Sequence, residues 1–332
     1  MSDLRFDPVT GTWVAIARNR LDRPMEFIRS EQVHKQLICP FCSGNEELTP
    51  GQYDAFCENG NVLPLSADPT SWTVRAVPNK YPSFHDGAGQ SASADKGPFG
   101  ATHRLGHQEI VIPSPRHITS LSELDDTEIR ATFRALQIRL GKVQKEDNIC
   151  HIMLFMNCRL QAGASLGHIH FQLIGSPIVS QHLQLRVQRN LESVENFGQT
   201  TLQRIMEWES QQQVRIVSDS DNYLVICPYA SRFAFQSWVV PKDPSLRFAE
   251  LENEPRNELA QICHRLVSSL DRQLDQPAYN LLLHQAPHEL AENDHWYIEL
   301  FPRLTQTAGF EWGTNIWVNP IAPEAAAKRL QA

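Results

Sequence analysis

The spacing of apolar positions changes several times along the chain, and each change predicts an element. Across 121–146, LSELDDTEIRATFRALQIRLGKVQKE, apolar residues return every three or four positions, which predicts an amphipathic helix. Asp125 and Asp126 fall near its N-terminus, where the helix dipole favours acidic side chains. QEIVIPS (108–114) and HIMLFMN (151–157) are short apolar runs that read as strands. HIHFQLIG (168–175) alternates, and successive side chains of a strand point to opposite faces. His168, His170 and Gln172 would therefore share one face, and Ile169, Phe171 and Leu173 the other. Residues 180–213 read as mostly helical. The first 60 or so residues are rich in turns and strands, and HDGAGQSASADKGPFGAT (85–102), small and polar, predicts a mobile loop.

From 223 the succession starts again: YLVICP, SWVVPK, a helix over about 249–275, NLLLHQAP and HWYIELFP. A shift of 127 positions aligns the two parts. Leu124 then falls on Leu251, His168 on His295, His170 on Tyr297 and Gln172 on Glu299. Two similar strand–helix–strand pieces can match by chance, but a duplicated unit is the more economical reading. The second copy has Tyr297 where the first has its second histidine, which suggests an active half and a supporting half.

Composition narrows the class. The 332 residues are 41% hydrophobic and 20% charged, enough for a sizeable core in one large domain or two ordinary ones. A net charge of −8 argues against general nucleic-acid binding, while leaving room for a local basic pocket that takes a phosphorylated ligand. No apolar run approaches a membrane span, and MSDLRFDPVTGTW has no charged-then-apolar signal pattern, so the expectation is a cytoplasmic protein. Seven scattered cysteines, an odd number, argue against a disulfide framework.

Cys39-Pro-Phe-Cys42 has CxxC spacing, with Gly44 close behind. A zinc half-site, a redox pair and two unrelated buried cysteines all remain open on spacing alone. Structural zinc takes four ligands and no second CxxC exists, so the other two would be histidines. His117, in SPRH after a strand, and His168 would complete a Cys₂His₂ set. A neutral imidazole is also a good nucleophile toward phosphorus, provided its other ring nitrogen is held and a donor faces the phosphoryl oxygens. His170 with Gln172 on the same face fits that need, and Gly163-Ala164-Ser165 just before them could offer N–H groups and a hydroxyl to a phosphate. For a bare HxH, a pair of core histidines is the competing reading. Arg20 and Arg23 in RNRLDRP, and Asn79-Lys80 in RAVPNKYP, are candidates for phosphate and base recognition, although an arginine cluster alone is more often a solvated face.

Together these pieces resemble the galactose-1-phosphate uridylyltransferase family, a branch of the histidine-triad superfamily, over nearly the whole chain. DPVTGTWVAIARNRLDRP is similar to the family's N-terminal signature, and CPFCSGNE to its zinc element. RAVPNKYP, PSPRH, GASLGHIHFQ, HQAP, HWYIELFPRL, GFEWGTN and NPIAPEAAA follow in the family's order. The resemblance implies zinc ligands at Cys39, Cys42, His117 and His168, a nucleophile at His170 and a phosphate-binding partner at Gln172. It implies phosphate neighbours at Ser165 and Asn157, nucleotide contacts at Arg20, Arg23 and Asn79, and a sugar-hydroxyl contact at Glu311. Gln172 stands where hydrolysing relatives carry a third histidine, and an amide holds a phosphoryl group without delivering protons to water.

There are departures. Some family members hold a second metal with histidines of the second half. Here His284 matches one ligand, but Tyr297 and Glu299 stand at the paired histidines, so that second site is expected to be absent. The motif reads HIH rather than HPH. Trp317 and Thr305 replace a glutamine and a lysine found in galactose enzymes, and GFEWGTNIWVNP is more similar to ADP-glucose phosphorylases.

The resemblance implies an α+β protein of two tandem histidine-triad-like units, each an antiparallel sheet plus a long helix. A catalytic half with one zinc ion spans 1–178 and a degenerate half spans 179–332, in a homodimer. The first functional reading is a ping-pong transferase between UDP-glucose and a hexose 1-phosphate, working through a nucleotidyl–His170 intermediate. The second is an adenylyl-transferring relative of the ADP-glucose phosphorylase kind, which can use inorganic phosphate as acceptor. The third is a zinc-containing nucleotide-binding protein with little turnover, against which His170 and Gln172 argue. The expected partners are a nucleotide sugar and a hexose 1-phosphate or phosphate, with no nucleic acid and no membrane.

Overall fold

A computed structural model of the chain describes residues 3–18, 38–64, 68, 70–84, 105–287, 290 and 294–331. Its strands are Asp3–Phe6 (β1), Trp13–Ile16 (β2), Asp54–Phe56 (β3), Val74–Pro78 (β4), His107–Ile112 (β5), His151–Cys158 (β6), Phe171–Ser176 (β7), Ile216–Asp219 (β8), Tyr223–Ile226 (β9), Ser237–Pro241 (β10), Tyr279–His284 (β11), Tyr297–Pro302 (β12) and Ile316–Asn319 (β13). The α-helices are Asp126–Val143 (α1), Gln181–Phe197 (α2), Thr201–Gln212 (α3), Asn253–Leu274 (α4), Gly309–Thr314 (α5) and Pro323–Leu330 (α6).

The fold is mixed α+β around one large antiparallel sheet. Among the described residues that sheet has ten strands in the order β3-β4-β5-β7-β6-β11-β12-β10-β9-β8, and β1-β2-β13 form a smaller one. The two halves of the order correspond: reading inward from each edge gives 3-4-5-7-6 and 8-9-10-12-11. Their central strands pair directly, with Met156 opposite Leu281 and Leu154 opposite Leu283. The long helices α1 and α4 start at Asp126 and Asn253, again 127 positions apart.

The sequence pattern explains which face is which. In β6, Ile152, Leu154, Met156 and Cys158 are buried, whereas His151, Met153, Phe155 and Asn157 are half-buried on the other face. The buried set packs with Phe133, Leu136 and Leu140 of α1, Leu259, Leu266 and Leu270 of α4, and Phe171, Leu173, Ile298 and Leu300 of the sheet. A polar link crosses between the helices: Arg256 donates to Gln137 Oε1 (3.0 Å), and Gln137 Nε2 donates to the Leu251 carbonyl (2.6 Å). On the opposite face, Leu202 and Met206 of α3 cover Leu224, Trp238, Val240 and Tyr297. Phe41 of the CPFC loop covers Ile110 and Ile112 of β5. Among the described residues no helix is long and apolar enough to cross a membrane.

Two expected elements are shorter than their patterns. The helix expected over 121–146 is broken by two consecutive capping boxes. Ser120 with Glu123 closes a 3-10 turn at Leu121–Glu123, and Asp125 with Glu128 then opens α1, so Asp125 is its N-cap. The strand expected over 168–175 enters the sheet only at Phe171. His168 and His170 precede the ladder, because the Ile169 N–H is taken by the Ile118 carbonyl (2.9 Å). The helix expected over about 249–275 likewise divides into a 3-10 turn at Phe248–Glu250 and α4. The loop expected over 85–102 lies outside the described residues.

Candidate active site and metal centre

The CPFC loop is held from both sides. Phe41 is 4% exposed and anchors it in the core, so the flanking cysteines turn away from that anchor. The Cys42 N–H donates to the Cys39 carbonyl (3.3 Å), and the Asn45 side chain donates to the same oxygen (2.9 Å). Gly44 takes φ +87°, a left-handed conformation that favours glycine. The Ser43 N–H donates to the Pro115 carbonyl (3.0 Å), which ties the loop to the segment carrying His117.

Cys39, Cys42, His117 and His168 thereby converge, with their ligand atoms within 4.8 Å of one another. Cys42 Sγ is 3.4 Å from His117 Nδ1, and His168 Nδ1 is 3.6 Å from Cys39 Sγ and 3.7 Å from Cys42 Sγ. A tetrahedral zinc site, with bonds of about 2.3 Å to sulfur and about 2.0 Å to nitrogen, separates such atoms by about 3.6 Å. His168 Nε2 lies 3.1 Å from the Ser114 carbonyl. A carbonyl only accepts, so Nε2 carries the proton and Nδ1 keeps its lone pair toward the sulfurs. Burial, reinforced by His117, lowers His168 to about 4, so the ring is neutral near pH 7. Burial and the adjacent Cys39 push the Cys42 thiol up to about 11, the expected behaviour of two thiols crowded together without a cation. The four residues form a group able to hold a metal ion, with a donor set compatible with zinc.

His170 is locked by the same stretch of backbone. Its Nδ1–H donates to the His168 carbonyl (3.0 Å), leaving Nε2 as the lone-pair nitrogen. The ring is 5% exposed, and Phe41 packs against it with ring centroids 5.1 Å apart. Burial lowers its pKa, so it too is neutral near pH 7. Asn157 follows Met156, whose partner Phe171 follows His170, so both residues lie just past this end of the β6–β7 pairing. Asn157 Oδ1 accepts from Asn280 (2.8 Å), which also donates to the Ala162 carbonyl (2.9 Å) and so ties the loop before His168 to β11. Ser165 is exposed in that loop. Gln172 is half-buried on the sheet face away from α1, and its Oε1 accepts from Gln108 (3.3 Å). Asn79 joins from the end of β4: its N–H donates to the Gln108 carbonyl (3.0 Å), and its Oδ1 accepts from the Tyr81 N–H (2.8 Å).

Other expected residues fall elsewhere. Glu311 caps α5 by accepting the Ala308 N–H (3.0 Å), and among the described residues no hydrogen bond or ion pair joins it to the His170 group. Arg20 and Arg23 lie outside the described residues. Sequence reasoning missed Gln108 and Phe41. The signal for Gln108 was present: it shares a strand face with Ile110 and Ile112, and is polar in that apolar row.

The second half has a counterpart with different chemistry. His295 Nε2–H donates to the Pro241 carbonyl (2.6 Å), as His168 does to Ser114, each partner 127 positions on. Its Nδ1, however, accepts from the Thr200 hydroxyl (2.9 Å) rather than facing sulfur. Glu299 is engaged by Arg232 (2.8 Å), His284 (2.7 Å) and Gln236. Burial alone would raise its pKa, but Arg232 and His284 hold it well below the usual carboxylate range. Tyr297 stacks on His284 with ring centroids 4.6 Å apart.

Known proteins match this arrangement over the full length. The family model described as "Galactose-1-phosphate uridyl transferase, N-terminal domain" matches residues 1–180, and one described as "Domain of unknown function (DUF4921)" matches residues 127–332. An ADP-glucose phosphorylase of Arabidopsis thaliana is 28% identical over 99% of this chain and 92% of its own. A galactose-1-phosphate uridylyltransferase of Thermotoga maritima is 25% identical over 100% of this chain and 98% of its own. The crystal structure of an ADP-glucose phosphorylase from Arabidopsis thaliana with bound ADP-glucose superimposes with a TM-score of 0.82 at 26% identity, covering 100% of this chain and 98% of that one. The chain belongs to the galactose-1-phosphate uridyl transferase family, whose members here are nucleotidyltransferases, and it is similar to the ADP-glucose phosphorylases within that kinship.

Proposed function

We propose that the protein transfers a nucleotidyl group from a nucleotide sugar by double displacement at His170. The observation that carries this reading is the His170 ring: neutral, with Nδ1–H spent on the His168 carbonyl and Nε2 left as a nucleophile. Nε2 attacks the α-phosphorus and the hexose 1-phosphate leaves with the electrons of the broken P–O bond. A phosphate oxygen of a second acceptor then takes the nucleotidyl group from nitrogen. Gln172, Asn157 and Ser165 would hold phosphoryl oxygens, Asn79 with Arg20 and Arg23 the nucleotide, and Glu311 a sugar hydroxyl.

Cys39, Cys42, His117 and His168 would hold a single zinc ion, which when bound supplies a structural cross-link between the CPFC loop and the backbone that orients His170. A second metal site is not proposed, because Glu299 is already engaged by Arg232, His284 and Gln236. Two tandem histidine-triad-like units, 1–178 and 179–332, account for the corresponding strand orders and for the His168–Ser114 and His295–Pro241 pins. The homodimer is carried over from the family resemblance. The seven free cysteines fit a reducing cytoplasm.

For the nucleotide, the adenylyl reading has the larger support. An Arabidopsis ADP-glucose phosphorylase is 28% identical, the ADP-glucose-bound crystal structure superimposes at 0.82, and Trp317 and Thr305 depart from the galactose enzymes. The uridylyl reading is supported by the family model over 1–180 and by the Thermotoga relative. Double displacement predicts that labelled glucose 1-phosphate enters ADP-glucose, or UDP-glucose, with no second nucleotide or acceptor present. Exchange that requires a second acceptor would contradict the two-step route.

A further inference from the structure

An amide side chain has a donor end and an acceptor end of almost the same shape, and nothing in Gln172 itself chooses between them. Phosphoryl oxygens are acceptors, so the NH₂ end must face them. We propose that Gln108 is a positioning residue that sets this polarity, an inference that rests on the role given to Gln172 above.

The Ser83 backbone N–H can only donate, and it donates to Gln108 Oε1 at 2.6 Å. The oxygen of Gln108 is thereby committed, and its NH₂ end is the one presented to β7. That Nε2 donates to Gln172 Oε1 at 3.3 Å. Gln172 must then keep its own oxygen toward Gln108, and its NH₂ end, without another hydrogen-bond partner among the described residues, is left for a ligand. A flipped Gln172 would set two amide donors against each other. The β5–β7 register holds the pair in reach, since Ile110 lies opposite Gln172 and Gln108 is the next residue on the same face. Gln108 is 9% exposed, whereas Gln172 is half-buried, so the relay sits behind the side chain it orients. The Gln108 carbonyl also accepts the Asn79 N–H (3.0 Å), which joins the end of β4 to the same residue.

The test compares single-turnover gain of a nucleotidyl group from ADP-glucose and from UDP-glucose in wild type, Gln108→Met and Gln108→Glu, each repeated in a Gln172→Ala background. Gln108→Met should lower the maximal rate about tenfold, with half-saturation and melting temperature little changed. Gln108→Glu should approach wild type at the acidic end of its pH profile, where the introduced carboxyl is protonated and still donates to Gln172. Its rate should fall as that carboxyl ionises and draws the NH₂ end of Gln172 to itself. Neither change should matter once Gln172 is alanine. Wild-type rates in Gln108→Met, or losses that persist in the Gln172→Ala background, overturn the proposal. If the wild type gains no nucleotide, the function proposed above fails instead, and the polarity is read directly in the spectrum of nitrogen-labelled glutamine side chains. The resonances lost in Gln172→Ala should then shift in Gln108→Glu as the carboxyl ionises, and their constancy overturns the inference.

Discussion

His168 and His170 are two residues apart and use opposite ring nitrogens. His168 spends Nε2–H on Ser114 and turns Nδ1 to the sulfurs, whereas His170 spends Nδ1–H on the His168 carbonyl and keeps Nε2. The backbone of one candidate metal ligand therefore sets the tautomer of the candidate nucleophile. Gln172 follows two residues on, and in the proposed role its amide would bring no titrating proton to a phosphoryl group. Gln172→His introduces a group able to pass protons to water, so hydrolysis of the nucleotidyl intermediate should rise at least about tenfold relative to transfer. Unchanged partition between water and phosphate acceptor would count against the role assigned to the amide.

At the scale of elements, the CPFC loop, the segment after β5 that carries His117 and the segment before β7 that carries His168 are separate pieces of chain that bring four candidate ligand atoms within 4.8 Å of one another. Cys42→Ser should therefore release bound zinc, measured by elemental analysis, and cost at least about 2 kcal/mol of stability in thermal unfolding. Metal content unaffected by the change, or no stoichiometric metal in the wild type, would remove the site. Much of this level was legible in advance. CxxC spacing selected Cys39 and Cys42, and period-two alternation put Ile169, Phe171 and Leu173 in the core, where they lie. Boundaries were less legible. Apolar spacing carried the helix back to 121, but Ser120 and Asp125 each recruit a glutamate three residues on, and local capping overrode periodicity. The Gln108–Gln172 contact was not legible at all, because strand pairing and register are long-range properties that one strand's pattern does not contain.

At the scale of the molecule, the two halves share a framework and differ in what they do with buried histidines. His295 is fixed as a neutral ring between Pro241 and Thr200, and burial lowers its pKa. Partial burial, with Arg186 nearby, lowers the half-buried His151 to about 4. These folded values lie below the unfolded value of about 6.5, so the unfolded chain binds more protons as pH falls beneath it. Stability should accordingly be full above about pH 7 and decline toward pH 4. Thermal unfolding should occur several degrees lower at pH 5 than at pH 7.5, and a flat profile would contradict the neutral-histidine description. The central claim is that His170 carries the nucleotidyl group, and the most direct measurement is the intact mass of the protein after brief mixing with ADP-glucose, and separately with UDP-glucose, without acceptor. One AMP or one UMP should be gained, and the gain should disappear in His170→Ala. No gain with either, in folded and zinc-loaded protein, or a gain that survives in His170→Ala, would contradict it.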